Sequence, residues 1–345
     1  MRRRLSGQAI RACFKAGPWY LTVCCQSVLN TEMAGETSQK RQIALLDAPS
    51  NLGLRPPGPG AVPGCYKLPG ALRDHGLLAR LGAAEGGYVT PPRYDRGGWQ
   101  EGDGVFNAGA IAFYSKRLAD RIGGLLSDGH FPVVLGGDCS ILLGSTLSLS
   151  RRGRHGLAFL DGHSDFRHPG NSDRIGAAAG EDLALVTGRG QTDLTDIEGY
   201  RPYVRDDDVA VVGIRNDDAA KSELDELRIA TWDANRVRVD GSASVAEGVL
   251  AYLERDELDG FWVHVDFDIL DPEVMGAVDT PSPGGIGYSD LSRLLADLTA
   301  SERCVGLEVT IYDPDLDLSG EFAGPLADLL VTALDVSPSE AADSR

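Results

Sequence analysis

Six short apolar segments alternate with helical patterns along this chain. The segments are rich in Val, Ile, Leu or Phe, are flanked by glycine or charged residues, and lie near residues 42–47, 132–136, 157–161, 208–214, 261–267 and 303–311. Helical patterns lie near residues 108–128, 216–227, 243–256 and 288–300 and after Gly324. Strands that are apolar along their whole length are typical of parallel sheets covered on both faces. We therefore predict an α/β fold of three layers, in which helices cover both faces of a central, mostly parallel sheet.

Two acidic clusters stand at the ends of two of these segments. Asp161, His163 and Asp165 end one of them, and residues two apart point the same way along an extended chain. Asp266 and Asp268 end the other with the same spacing. A single Asp-x-Asp is usually a turn or a helix cap, but four carboxylates gathered in a small space repel one another unless cations are present. The paired clusters therefore predict a site for two divalent metal ions, which supply a Lewis acid and an activated water.

A third polar segment follows the apolar segment near 132–136; it is Gly-Gly-Asp-Cys-Ser, at residues 136–140. We call it and the two acidic clusters the three polar tips. Together the three tips resemble the ureohydrolase family of arginase, agmatinase and formimidoylglutamase, whose pattern is Gly-Gly-Asp-His, Asp-Ala-His-x-Asp and Asp-x-Asp-x-x-Asp-Pro. Other similar segments follow the family's order within residues 41–335, namely Leu46–Ser50, Val212–Arg215 and Thr280–Gly285. The resemblance implies an arginase-like fold. It also implies hydrolysis of a linear, non-peptide C–N bond, in an amidine, formimino or guanidino small molecule, by a hydroxide that bridges two metal ions.

The resemblance assigns six residues to the metal ions. Cys139 and Asp165 would hold one ion, His163 and Asp268 the other, and Asp161 and Asp266 would bridge them. Asp165 would also accept the proton of the attacking hydroxide. A carboxylate-rich site suits two manganese ions, whereas sulfur from Cys139 would shift the preference toward zinc or iron.

Two departures from the family pattern concern the chemistry of the site. Cys139 stands where the family has histidine, so it is either a thiolate ligand or a buried thiol beside a weakly held ion. The segment 176–182 lacks the histidine that arginase and agmatinase use for proton transfer. His168 is a candidate substitute, although a single histidine in a loop is more often simply solvated.

Another departure concerns the substrate. Ile311 occupies the place of the glutamate that pairs with a guanidinium in the family. Glu181 or Asp182 is a candidate replacement, and a helix start is the alternative for both. Arg167 is similar to an arginine of formimidoylglutamase and suits a substrate carboxylate, with surface solvation as its alternative. We therefore predict a small amidine-, formimino- or guanidino-bearing acid as substrate, rather than arginine.

Two other functional classes can be compared with this prediction. A catalytically weak or inactive family member that binds a metabolite or a partner would explain Cys139, Ala179 and Ile311. The five remaining metal-type side chains argue against it, because buried carboxylates without a cation destabilise a fold. A one-zinc amide deacetylase would need a pair of histidines before the strand that carries the metal ligands, and the sequence has no such pair there.

Composition separates the start of the chain from the rest. Residues 1–40 hold six Lys or Arg, two Glu and three of the six cysteines. We predict a disordered N-terminal extension there, with a targeting peptide or a translation start at Met33 as alternatives. Residues 41–345 are predicted to form one ureohydrolase-like catalytic domain.

Charge and cysteine spacing bear on partners and location. The formal net charge of -18 argues against nucleic acid or an anionic membrane as partner. Apolar runs also fall short of the roughly 18 residues of a membrane span. Cysteines without paired spacing predict a cytoplasmic protein. The resemblance implies a small-molecule substrate and a homo-oligomer, either a trimer or a hexamer.

Overall fold

A single parallel sheet organises the protein. The structure, a computed structural model, describes residues 41–95 and 98–335, so the predicted extension 1–40 lies outside the described residues. The strands of the described ranges are β1 (Ile43–Asp47), β2 (Ala84–Tyr88), β3 (Phe131–Leu135), β4 (Gly156–Leu160), β5 (Val209–Val212), β6 (Ala230–Trp232), β7 (Phe261–Asp266) and β8 (Cys304–Thr310). They are ordered β2-β1-β3-β8-β7-β4-β5-β6. Every neighbouring pair is parallel.

Helices connect the strands. In the described ranges they are α1 (Leu68–Asp74), α2 (Leu77–Leu81), α3 (Ala108–Ser127), α4 (Leu142–Ser150), α5 (Asp182–Val186), α6 (Thr192–Thr195), α7 (Lys221–Glu226), α8 (Ala234–Asp240), α9 (Ser242–Leu253), α10 (Tyr288–Ala300) and α11 (Ala323–Leu334). A short 3-10 turn at Phe267–Ile269 directly follows β7, and another at Cys139–Ile141 begins four residues after the end of β3.

Two hydrophobic cores lie on opposite faces of the sheet. Ala158 and Leu160 of β4 contribute to the core under α1, α2 and α8–α11, whereas Leu157 and Phe159 contribute to the core under α3–α7. Alternate residues of a strand point to opposite faces, so a strand between two apolar layers must be apolar throughout. The predicted three-layer fold with a central parallel sheet is therefore confirmed.

All six predicted strands are present, with bounds within two residues of the prediction. The two strands that the sequence did not indicate, β2 and β6, form the edges of the sheet. β2 reads Ala-Glu-Gly-Gly-Tyr and β6 has three half-buried residues, so neither is an apolar run. Helix α4 was also not predicted, because every residue of it except Ser150 is buried and it lacks a polar face.

The loop after β3 approaches another loop too closely to allow a side chain. A Cβ atom on Gly137 would lie 1.7 Å from the carbonyl oxygen of Ser50. That oxygen accepts the N–H of Asp138 at 3.1 Å, and the Gly137 carbonyl accepts the N–H of Ile311 at 2.7 Å. Gly137 therefore holds the loops after β1, β3 and β8 together at the carboxyl edge of the sheet.

Gly137→Ala should destabilise the protein by about 2 kcal/mol or more, because backbone atoms must move to admit the methyl group. Gly124→Ala is the matched control, since Gly124 is an exposed position of α3 where a Cβ atom meets nothing within 4 Å. The control should raise the free energy of unfolding by about 0.5–1 kcal/mol. Urea denaturation measures both. Equal effects of the two substitutions would contradict the close packing described for Gly137.

Candidate metal centre

The first acidic cluster lies in the loop after β4. Asp161 is fully buried, and its Oδ1 accepts the backbone N–H of His163 at 2.6 Å. Asp165 has a φ of 42°, in the left-handed region. The chain therefore turns sharply after β4, and Asp161, His163 and Asp165 come to lie close together although the segment is not an extended strand.

The second cluster ends β7 and meets the first cluster at the end of the neighbouring strand, β4. Asp266 caps the turn that follows, because its Oδ1 accepts the N–H of Asp268 at 2.7 Å. Asp268 reaches the other loop by accepting the N–H of Gly162 at 3.0 Å, and its Oδ2 lies 2.8 Å from Nδ1 of His163. Both clusters thus form one site at the carboxyl ends of β4 and β7.

Two overlapping trios of ligand-type side chains result. The first trio is Asp161, His163 and Asp268, and the second trio is Asp161, Asp165 and Asp266; within each, the ligand atoms lie within 4.8 Å of one another. Asp161 belongs to both. The structure therefore brings together five of the six residues that the sequence assigned to metal ions.

Cys139 lies deeper. The buried thiol donates to Oδ2 of Asp266 at 3.0 Å and lies 3.0 Å from the hydroxyl of Thr310. The trio that contains Cys139 is completed by Asp182 and His264 rather than by Asp165. We call Cys139, Asp182 and His264 the inner trio. His264 had no role in the sequence analysis, and the signal that could have found it is a polar residue two positions before Asp266 on an apolar strand.

We call the first and second trios the outer trios, and their buried carboxylates make one another's charged form less favourable. Burial, followed by the neighbouring carboxylates, raises the pKa of Asp161 and of Asp266 well above the usual range. Burial also raises the pKa of Asp165 to about 7. One oxygen of Asp161 is buried without a hydrogen-bond partner among the described residues. A donor set of carboxylates and imidazole with an unpaired, inward oxygen fits divalent cations.

His163 and Asp268 behave as an ion pair within this site. Burial opposes the charged imidazole, but the hydrogen bond to Asp268 raises the pKa of His163 to about 9. Burial likewise opposes the charged carboxylate, yet the same bond lowers the pKa of Asp268 below the usual range. A cation bound to both residues would replace the proton that they share.

Arg215 holds the second loop in place. Its buried guanidinium donates to the backbone carbonyls of Asp268 at 2.9 Å and of Ser282 at 2.6 Å. Arg215 ends the family-like segment Val212–Arg215, from which no role was predicted for it. The side chain fixes the loop that carries Asp268, and its positive charge lies beside the carboxylates.

A cavity of about 1170 Å³ opens above the two outer trios. His163, Asp165, Asp266 and Asp268 lie at its inner end, and residues of the proline- and glycine-rich loop 55–64 form part of the wall. Charged side chains of both signs also line it; they are Arg55, Arg167, Arg174, Asp217, Asp218, Glu223, Asp279, Asp313 and Asp315. The cavity has room for a small polar molecule.

The predicted substrate residues have different surroundings. Arg167 lines the cavity, where its Nε donates to the carbonyl of Gly180 at 3.0 Å. Glu181 is buried and accepts the N–H groups of Gly176 at 2.7 Å and Ala177 at 3.0 Å. It is absent from the cavity lining among the described residues. Glu181 therefore anchors its own loop, which differs from the substrate contact that the sequence suggested.

Ile311 and His168 can be placed as well. Ile311 lines the cavity with a φ of 76°, an unusual conformation for a β-branched residue. His168 lies 2.9 Å from Glu223 through its Nε2 and accepts the N–H of Gly170 at 3.0 Å. These contacts turn the His168 ring toward the loop and helix around it, and it is not among the described residues that line the cavity.

Comparisons with known proteins identify the family and the fold. The family model described as Arginase family matches residues 61–334. The arginase of Bacillus caldovelox is 29% identical over 256 residues, covering 72% of this chain and 85% of that protein. Its native structure matches with a TM-score of 0.77 and 27% identity, covering 86% of this chain and 99% of that one. The formimidoylglutamase structure from Bacillus subtilis matches with a TM-score of 0.66 and 20% identity, covering 86% of this chain and 88% of that one.

The chain therefore belongs to the arginase family of hydrolases. Among residues 41–95 and 98–335, no helix is both long enough and apolar enough to cross a membrane.

Asp161→Asn should stabilise the protein after metal ions have been removed by a chelator. Asparagine keeps the acceptor for the His163 N–H and removes a buried charge, so the free energy of unfolding at pH 8 should rise by about 1–3 kcal/mol, the usual cost of a buried polar group without a partner. Added manganese should stabilise the unsubstituted protein by about 2.7 kcal/mol at 100 times its dissociation constant, and the variant by less.

Asp256→Asn is the control, because Asp256 is exposed. It should change the free energy of unfolding by less than about 0.5 kcal/mol with or without metal. A metal-free Asp161→Asn protein less stable than the metal-free original would contradict the repulsion described for this site. Urea titrations monitored by circular dichroism supply all the values.

Proposed function

We propose that this protein is a two-metal hydrolase of a linear, non-peptide C–N bond in a small amidine, formimino or guanidino molecule. The single observation that carries the proposal is the pair of trios that share buried Asp161, with its unpaired oxygen, beneath an open cavity. Two divalent ions, when bound, would supply a Lewis acid and an activated water. The donor set suits manganese, and zinc or iron is the alternative because of the nearby sulfur of Cys139.

The residues around the ions would act in distinct ways. His163 and Asp268 would hold one ion, Asp165 the other, and Asp161 and Asp266 would contribute to both. Asp165 lies at the cavity wall as well as in the second trio, so we propose that it also takes the proton released when water attacks the substrate carbon. Arg215 would keep the Asp268 loop fixed throughout, because its contacts are with backbone carbonyls.

The substrate is proposed to carry a carboxylate. Arg167 presents a guanidinium at the cavity wall near the outer trios, and arginine binds carboxylates well. Ile311 offers no charge at the inner wall, so a permanently charged guanidinium would lack a partner at that place. Solved structures of similar fold include a formimidoylglutamase. A formimino acid, which has a carboxylate but no guanidinium, therefore fits this wall better than arginine.

The sequence also predicts the extent of the catalytic domain, the location of the protein and its oligomeric state. We propose that residues 41–345 form the catalytic domain and that the protein acts in the cytoplasm as a trimer or hexamer on a small molecule. Size-exclusion chromatography with light scattering would measure the oligomeric state.

Asp165→Asn should lower kcat/KM by about 10²–10⁴-fold, the usual contribution of a general base, or more if metal is also lost. The assay is release of ammonia or urea from a panel of formimino, guanidino and amidino acids, on protein whose metal content has been measured by mass spectrometry. Asp256→Asn should retain full activity. A fully metal-loaded protein that releases neither product from any member of the panel would favour the alternative, an inactive family member that binds a metabolite.

Arg167→Ala should raise KM for carboxylate-bearing substrates by about 10- to 100-fold while kcat changes little, since a charge-assisted hydrogen bond contributes about 1.5–3 kcal/mol. The matching amides should show no such increase. Arg293→Ala is the control, because Arg293 is exposed on α10. An unchanged KM in Arg167→Ala would mean that Arg167 is only a solvated surface residue.

A further inference from the structure

The inner trio, Cys139, Asp182 and His264, lies behind the two outer trios and has no role in the proposed hydrolysis. All three side chains are buried, and their ligand atoms lie within 4.8 Å of one another. The members come from the turn after β3, the start of α5 and the middle of β7. Sulfur, imidazole nitrogen and carboxylate oxygen form a donor set that hydrolysis at the outer trios does not require.

The ring of His264 is held in one orientation from two sides. His264 is paired in register with Glu308 on β8, and its Nδ1 lies 2.8 Å from the carboxylate of Glu308. The hydroxyl of Ser145 donates to the other oxygen of that carboxylate. Phe159 stacks on the ring with a centroid distance of 4.9 Å. A carboxylate on one ring nitrogen is the usual arrangement behind a metal-binding histidine, because it directs the other nitrogen toward the ion.

Two buried atoms of the inner trio face each other without a hydrogen bond. Nε2 of His264 and Oδ2 of Asp182 have no hydrogen-bond partner among the described residues, and they lie 3.8 Å apart. This separation is too long for a hydrogen bond. It is close to the distance of about 3.4 Å between two ligands that are each roughly 2.1 Å from a tetrahedral ion. Asp182 is held in place because its Oδ1 accepts the N–H of Leu183 at 2.7 Å.

We propose that Cys139, Asp182 and His264 bind a zinc ion, at a site separate from the two outer trios. Zinc prefers thiolate and imidazole ligands and is held by buried protein side chains at structural sites. Asp266 is a further donor within reach, because its Oδ2 lies 3.0 Å from Sγ of Cys139. In this arrangement Cys139 binds the inner ion. The outer site then has only carboxylates and His163 as ligands.

The site would also tie the sheet to the hydrolytic centre. Asp266 belongs to the second trio and lies 3.0 Å from Sγ of Cys139. An ion on that sulfur would fix the turn after β3 against β7, on the side of Asp266 that faces away from the cavity. A water molecule bound there would have no route to a substrate, because the inner trio is absent from the cavity lining among the described residues. The inner ion is therefore structural.

Metal substitution tests the proposal independently of catalysis. Full-length protein is stripped with a chelator, reloaded with zinc or with cobalt(II), and examined for zinc content by mass spectrometry and for thiolate-to-cobalt charge-transfer absorption. The variants are His264→Gln, Asp182→Asn and, for the outer site, Asp161→Asn. His155→Gln is the matched control, because His155 is also buried with an unpaired ring nitrogen yet belongs to no trio in the described residues.

The expected result is that His264→Gln and Asp182→Asn each lose the cobalt absorption and one equivalent of zinc. Asp161→Asn and His155→Gln should both keep that equivalent. Glu308→Gln should weaken zinc binding about 10- to 100-fold, as loss of a supporting carboxylate does. Near-ultraviolet circular dichroism identifies any variant that fails to fold. If His264→Gln fails to fold, the conservative variant Asp182→Asn tests the inner site on its own.

Three results would overturn the inner site. Cobalt absorption that persists in folded Asp182→Asn and disappears in Asp161→Asn would place Cys139 on an outer ion. Unsubstituted protein without any thiolate absorption would show that the inner trio is a hydrogen-bonded cluster. Equal zinc content in all folded variants would likewise show that the inner trio does not bind the ion. None of these outcomes depends on whether the outer trios hydrolyse a C–N bond, so failure of the proposed function would be seen separately in the product assays.

Discussion

Repulsion among buried carboxylates is the constraint on which the rest of this structure depends. Asp161, Asp165, Asp266 and Asp268 converge where β4 and β7 end, and burial makes the charged state of most of them costly. His163 and Arg215 offset only part of that cost, since His163 is paired with Asp268 and Arg215 is directed at backbone carbonyls. Divalent cations would neutralise the cluster without protonating it, so the electrostatics support the proposed metal centre.

The sheet makes such a cluster tolerable. β4, β7 and β8 are central strands with apolar side chains on both faces, so hydrophobic burial on two sides stabilises the backbone that carries the acids. The loops are then fixed by specific contacts, among them the close approach of Gly137 to Ser50 and the arginine-to-carbonyl bonds of Arg215. A site held by rigid strands and short turns keeps its ligands together before any ion binds.

Local pattern predicted the parts of the fold in which one residue type dominates. β3 and β4 are apolar from end to end, and β7 is apolar apart from His264 and Asp266. The acidic residues at or just after their ends mark the functional edge of a parallel sheet. α4 could not be predicted, because a helix buried on all sides has no periodicity. Glu181 reads as an acid near the site, yet its carboxylate binds the amides of Gly176 and Ala177. No local pattern indicates which way a loop carboxylate turns.

The sequence by itself determined the layered α/β class, the order of the polar tips along the chain and the types of ligand that they offer, because these depend on spacing and side-chain chemistry alone. Only the tertiary structure decided which side chains meet. The pairing of His264 with Glu308 requires β7 and β8 to be neighbours in register, although the two residues are 44 positions apart. Cys139 likewise lies within reach of both Asp266 and the inner trio only because β3, β8 and β7 end at one edge. Contacts between distant segments are set by strand order and packing, which no single segment encodes.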